Sequence, residues 1–263
     1  LANQGATKDL KVIAKKDTGP SWYPKAEPVV AFSSGKTIQI KPGEDALYNA
    51  VANASSGDII TLADGVYDVA KVISLDKTIT ISAVNTGKVT LNFERTSLFE
   101  INNGGSLQLV GLVMSGKESP DSAGNTLVRT AKWGMLKNYR FIMRDSVVSN
   151  LDVNHSNHFF DSGAGAFADL IELTNNRFET ITGDILRLNK EQEDLGIYNA
   201  EYVIVNNNEF TDVGGTIANV YRGGTDESTF GPHFVFENNV VNNVGNNKRN
   251  KGDAVITLHG VQV

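Results

Sequence analysis

Three segments of this chain are copies of one another, and that repeat restricts the fold more than any other feature. Residues 173–181, 205–213 and 236–244 read LTNNRFETI, VNNNEFTDV and FENNVVNNV. Their equivalent asparagines, Asn176, Asn208 and Asn239, lie 32 and 31 residues apart. A weaker copy, Asp145-Ser146-Val147-Val148, sets Ser146 30 residues before Asn176. Each strong copy is followed by a glycine and a second short apolar run: Gly183-Asp184-Ile185-Leu186, Gly215-Thr216-Ile217 and Gly252-Asp253-Ala254-Val255-Ile256. A period of about 20–50 residues is the mark of a solenoid. Here the repeating unit alternates as strands do, so the chain reads as a right-handed parallel β-helix. Asparagine suits its turns because it tolerates left-handed backbone and bonds neighbouring main chain with its side chain. Phe178 and Phe210, with Val241 as their equivalent, are expected to point inward and stack.

The first half has the same texture with a less regular period. Residues 1–35 read as a linker or lead-in arm: Pro20, Pro24 and Pro28 oppose helix and central strand, and Trp22 and Tyr23 are its expected anchors. Residues 36–263 are expected to form the β-helix domain. It begins with a strand at 37–40. Leu47, Ala50, Val51 and Ala54 follow at the spacing of one helical face. This short helix, ended by Gly57 as its C-terminal glycine, is expected to cap the open end of the core. Strands are expected at 58–62, 72–75, 78–81, 89–93, 107–110 and 112–114, with turns at 85–87, 102–105 and 115–116. Residues 117–125, polar and holding Pro120, read as a loop leaving the coil. The run from Val255 to Val263 reads as strand to the last residue, with no cap. That suggests a chain continuing at this end, and the start at Leu1 suggests the same at the other.

Composition narrows the functions. Thirty acidic against 24 basic residues give a net charge of −6, which argues against a general nucleic-acid binder but allows a local basic patch to hold an anion. Without cysteine there are no disulfides and no thiolate metal sites. No run approaches the length of a membrane span.

Several catalytic patterns are missing: G-x-S-x-G, H-E-x-x-H and the P-loop glycines. The adjacent aspartates and Gly-His-Gly of β-helical galacturonan hydrolases are missing too. His155, His158 and Asp161 in NHSNHFFDSG are spaced as many loop residues are, and no metal site is assigned to them. What remains is a set of basic residues beyond the second strand of consecutive rungs. Lys190 in LRLNKEQED and Arg222 in VYRGG would stand side by side, about 5 Å apart, and Arg187 would share the face of Asn189. Such residues can serve β-elimination from a uronate polymer. That reaction needs a cation to neutralise the carboxylate, a base for the neighbouring proton and an acid for the departing C4 oxygen. Lys190 and Arg222 are the candidate catalytic pair; Arg187, Tyr221 and His233 are the candidate substrate contacts. Solvated charges at loop starts are the plain alternative.

The segment KKDTGPSWYPK, the cap GEDALYNAVANASSGDIITLADGVYD and the N-N-x-F rungs together resemble alginate lyases of polysaccharide lyase family 6, relatives of chondroitinase B with a pectate-lyase-like solenoid. The likeness is to the second, C-terminal β-helix of the two-domain members and covers nearly the whole chain. In that family an Asn-Lys-Ser stretch supplies the base and an Arg-His-Gly stretch, one rung later, the acid. The matching places here read Asn189-Lys190-Glu191 and Tyr221-Arg222-Gly223. Lysine and arginine are kept, while serine and histidine are replaced. Glu191 also favours the ammonium form of its neighbour over the amine that a base needs. The resemblance therefore implies an alginate lyase parent, secreted or periplasmic, whose active centre lies in an upstream domain. It admits calcium in the parent enzyme, no cofactor in this chain, and a homodimer. A non-catalytic carbohydrate-binding module and a purely structural module stay open beside it.

Overall fold

The computed structural model describes residues 29–190, 199–221, 232–247 and 254–259. Arg222, Glu191, Trp22 and Tyr23 lie outside them. Within them the chain winds through three parallel sheets of eight, seven and seven strands, and each turn of the coil gives one strand to each sheet. The fold is a parallel β-helix with one short helix.

Register explains the core. Along the first sheet Ile60, Ile81, Leu109, Met143, Leu173, Val205 and Phe236 are successive partners. The second sheet aligns Tyr67, Leu91, Met114, Val148, Phe178, Phe210 and Val241. The third aligns Ile73, Phe99, Val128, Phe160, Leu186, Ala218 and Ile256. Because the side-chain period of a strand is two, one inward residue per strand fixes the facing of its whole strand. Burying each large apolar side chain contributes about 1.5–3 kcal/mol. Phe178 and Phe210 stack with centroids 5.1 Å apart and planes 11° from parallel. Val241 continues their register but is 40% exposed, because its strand lies at the edge of its sheet among the described residues.

The paired asparagines divide two tasks. The first of each pair takes left-handed backbone: φ is 57° at Asn175 and Asn207 and 55° at Asn238, with Asp145 in the same place at 52°. The second stacks, buried at Asn176 and Asn208 and half-buried at Asn239. Its Oδ1 accepts from the preceding rung, and its Nδ2 donates to the carbonyl of Met143, Leu173 or Val205. Ser146 fills this slot in the weaker copy, and its N–H donates to Asn176 Oδ1 at 3.0 Å.

The capping helix spans Ala46–Asn53, with Leu47 and Val51 buried against the coil. It ends earlier than the sequence suggests. Ala54, in extended backbone, is the C-cap, and Lys77 from the coil donates to the free carbonyls of Ala52 and Ala54 at 3.2 and 2.9 Å. A cation on the last carbonyls does here what a C-terminal glycine does elsewhere. Gly57 has another reason to be glycine: its φ is +94°, and a Cβ would stand 2.5 Å from Ser34 Oγ.

Candidate functional site

The outward row of the third sheet carries the charge. Ser74, Glu100, Arg129, Asp161, Arg187, Asn219 and Thr257 are successive register partners, so they rise in one column at about 4.8 Å per coil. Signs alternate through its middle. Arg129 Nε stands 2.6 Å from Glu100 Oε2. Asp161 is shared: Lys190 Nζ lies 3.0 Å from Oδ1 and Arg187 Nη1 lies 3.7 Å from Oδ2. Two of the sequence-derived candidates, Lys190 and Arg187, thus meet at one carboxylate.

The other candidates are placed apart. Tyr221 ends the strand Ala218–Tyr221 and is paired with His259, their rings 5.3 Å between centroids. His233 belongs to the first sheet, where it is 8% exposed and stacked on Tyr202 at 4.9 Å. Arg222 lies outside the described residues. His158 is not beside His155 in any ligating sense. It is buried in the strand His158–Asp161, and its Nδ1 accepts the N–H of Asp184 at 2.9 Å. Burial holds the His158 ring below its ordinary pKa of 6.5, partly offset by the Asp184 carboxylate. Asp184 in turn accepts from the N–H and hydroxyl of Thr216. This network has a structural use, tying three coils together. Among the described residues no three His, Asp or Glu side chains gather as metal ligands would, and no helix is long and apolar enough to cross a membrane.

Chemically, the column offers cations held against carboxylates. Lys190 stands 3.0 Å from Asp161 in ion-pair geometry. Arg129, Arg187 and Lys190 can attract carboxylates of a polyanion. A groove of about 520 Å³ runs elsewhere, over the asparagine turns of Asn175, Asn207 and Asn238, where Asn175 Nδ2 donates to Asp145.

No protein-family model and no curated protein matches the chain. Among solved structures it superposes on the PL6 family alginate lyase AlyGC with a TM-score of 0.88 and 52% identity, over 97% of this chain and 35% of that one. A point mutant of the same enzyme gives a TM-score of 0.85 and 52% identity, over 94% and 34%. This chain is a relative of a PL6 family alginate lyase. It spans about a third of the length of that PL6 enzyme.

Two features along the third sheet were not visible from sequence motifs. One is Asp161, the carboxylate that engages Lys190 from 29 residues upstream. Glu100 and Arg129 show the same offset of 29, a signal that counting back one coil could have found. The other is Trp133, 59% exposed in the loop after the strand Thr126–Thr130.

Proposed function

We propose that this chain is an accessory β-helical domain of a secreted or periplasmic alginate lyase, and that bond cleavage takes place in an upstream domain. On this reading it contacts the anionic polymer or walls its groove, and calcium and the elimination chemistry belong to the rest of the parent. A homodimer of the parent would be compatible with the same role. The observation that carries the reading is the pairing of Lys190 with Asp161 at 3.0 Å, in a chain 52% identical to part of a lyase. β-Elimination requires a group that can accept the proton beside the uronate carboxylate, and Lys190 is engaged as a cation.

The test is the parent enzyme on alginate, followed by the ultraviolet absorbance of the unsaturated uronate product. Lys190→Ala and Arg222→Ala are each expected to leave the rate within about twofold of wild type. A general base or acid contributes about 10²–10⁴-fold, so a loss of that size in a folded variant would place catalysis in this chain. A parent that releases no unsaturated product from any uronate polymer would end the lyase reading. A carbohydrate-binding role independent of cleavage is favoured by one observation, the exposed indole of Trp133.

A further inference from the structure

Trp133 is doubly unusual. It is 59% exposed, and it holds left-handed backbone with φ of 53°. A bulky residue in that region is a steric outlier, and such outliers cluster at ligand sites. The conformation is held by a hydrogen bond from the Trp133 N–H to the Ala164 carbonyl, one coil on, at 2.9 Å.

The surface beneath the indole is bare for a geometric reason. Gly163 and Gly165 flank Ala164. A Cβ on Gly163 would meet the Ala131 carbonyl oxygen at 2.6 Å, and one on Gly165 would press to 3.3 Å of the Trp133 ring. The indole therefore rests against a glycine and keeps apolar surface open to solvent. Two residues on, Met135 turns into the core, at 8% exposure.

Its chain neighbour is a cation. Lys132 is exposed and makes no ion pair among the described residues. Arg129 is in register with Asp161 and Asp161 with Arg187, and the bond from the Trp133 N–H to the Ala164 carbonyl extends the first pairing past Lys132. Lys190 follows the strand of the next coil, its ammonium 3.0 Å from Asp161. In a chain of net charge −6, Lys190 and Arg187 share one carboxylate, Asp161, and Lys132 adds an exposed cation on the coil before it.

An aromatic face open to solvent accepts the apolar C–H face of a pyranose ring, and ammonium groups at its margins select a ring that carries a carboxylate. We propose that Trp133, on its glycine floor with Lys132 beside it and Lys190 two coils on along the same sheet, is the stacking platform of an anionic-glycan subsite that takes a pyranose of a uronate polymer. The choice of alginate as that polymer rests on the proposed function. The platform itself rests on the indole, the floor and the lysines.

Native electrophoresis of the full chain in gels containing alginate tests it, with neutral dextran gels as control. Wild type is expected to be retarded by alginate and not by dextran. Trp133→Ala is expected to weaken retention about fivefold, Trp133→Phe to restore most of it, and Lys132→Gln to weaken it about threefold. Far-ultraviolet circular dichroism and the melting temperature should stay at wild-type values, since these side chains are exposed. Retention of Trp133→Ala equal to wild type, or no retention of wild type at all, overturns the subsite. So does a Trp133→Ala variant that loses only concentration-dependent self-association, which would assign the indole and the neighbouring Leu136, 85% exposed, to a protein contact. The parent's product assay separates the two readings. Cleavage with Trp133-independent retention removes the subsite alone, and Trp133-dependent retention without cleavage removes the lyase reading alone.

Discussion

Asn208 Oδ1 accepts two bonds from Asn176 at once, from its backbone N–H at 2.9 Å and from its side-chain amide at 3.1 Å. Asn208 passes the same pair of bonds to Asn239 and spends a second amide hydrogen on the Leu173 carbonyl. Adjacent Asn207 makes no part of this ladder and supplies left-handed backbone instead.

The two asparagines should therefore respond differently to substitution. Asn208→Ala strands buried donors of Asn176 and a buried acceptor at Leu173. At about 1–3 kcal/mol for each unsatisfied group, the total should be on the order of 3 kcal/mol or more. Asn207→Gly keeps the required φ and should change stability by no more than about 0.5 kcal/mol. Urea unfolding midpoints at unchanged slope measure both, and equal losses at the two sites would contradict the division of labour.

The aromatic stack offers a packing test. Phe210 lies between Phe178, at 5.1 Å, and Phe236, at 6.4 Å. Phe210→Ala opens a cavity in a column that has no spare side chain to collapse into it, and should cost about 3–5 kcal/mol. Phe210→Leu retains most of the volume and should cost much less. A loss below about 1 kcal/mol for the alanine variant would show that the coils can close around the gap.

These elements were legible because their signals are local and repeated. N-N-x-F marks turn, ladder and core in four residues, and its two copies with the N-N-x-V of the third rung fix the period. The helix was legible from Leu47 and Val51, but not its end, because the cap comes from Lys77, 23 residues beyond Ala54. The charge column was only half legible. Arg187 and Lys190 stand out as basic residues beside a strand, whereas Asp161 becomes their partner only once the register is known. Trp133 gave no signal, since it sits in a loop of the early coils where no repeat sets the frame.

Asp161 is expected to restrain the cations rather than build the fold. Its side chain is 21% exposed and its pairs with Lys190 and Arg187 are partly solvated, so Asp161→Asn should cost no more than about 1 kcal/mol. The same change removes the carboxylate standing between Arg129 and Arg187 in the column. Retention of the chain in alginate gels should rise about two- to fivefold at low ionic strength. The gain should vanish near 1 M salt, where screening acts within about 3 Å. Weaker retention than wild type would mean that Asp161 orients Lys190 and Arg187 for the polymer instead of competing with it.

His158 should make the fold sensitive to mild acid. Its Nδ1 accepts the Asp184 N–H, which puts the ring proton on Nε2, 3.1 Å from Ser156 Oγ. Burial is the main reason its pKa falls below 6.5; Arg187 and Lys190 act in the same direction, while Asp184 and Asp161 oppose. In the unfolded chain the ring takes a proton near pH 6.5, and in the folded protein only at lower pH. The unfolded state thus binds more protons between those values. Stability is complete above about pH 6.5 and declines as the pH falls from there towards the folded pKa, by at most about 1.4 kcal/mol per pH unit. His158→Asn offers an amide oxygen to the Asp184 N–H but cannot titrate. The variant should be less stable than wild type at pH 7.5, and the difference should narrow between about pH 6.5 and 5, above the range where most carboxylates titrate. Unfolding midpoints of the two proteins across that window decide the matter. A constant difference would mean that His158 is not the acid-sensitive group, and a wild type that gains stability on acidification would reverse the sign of its coupling.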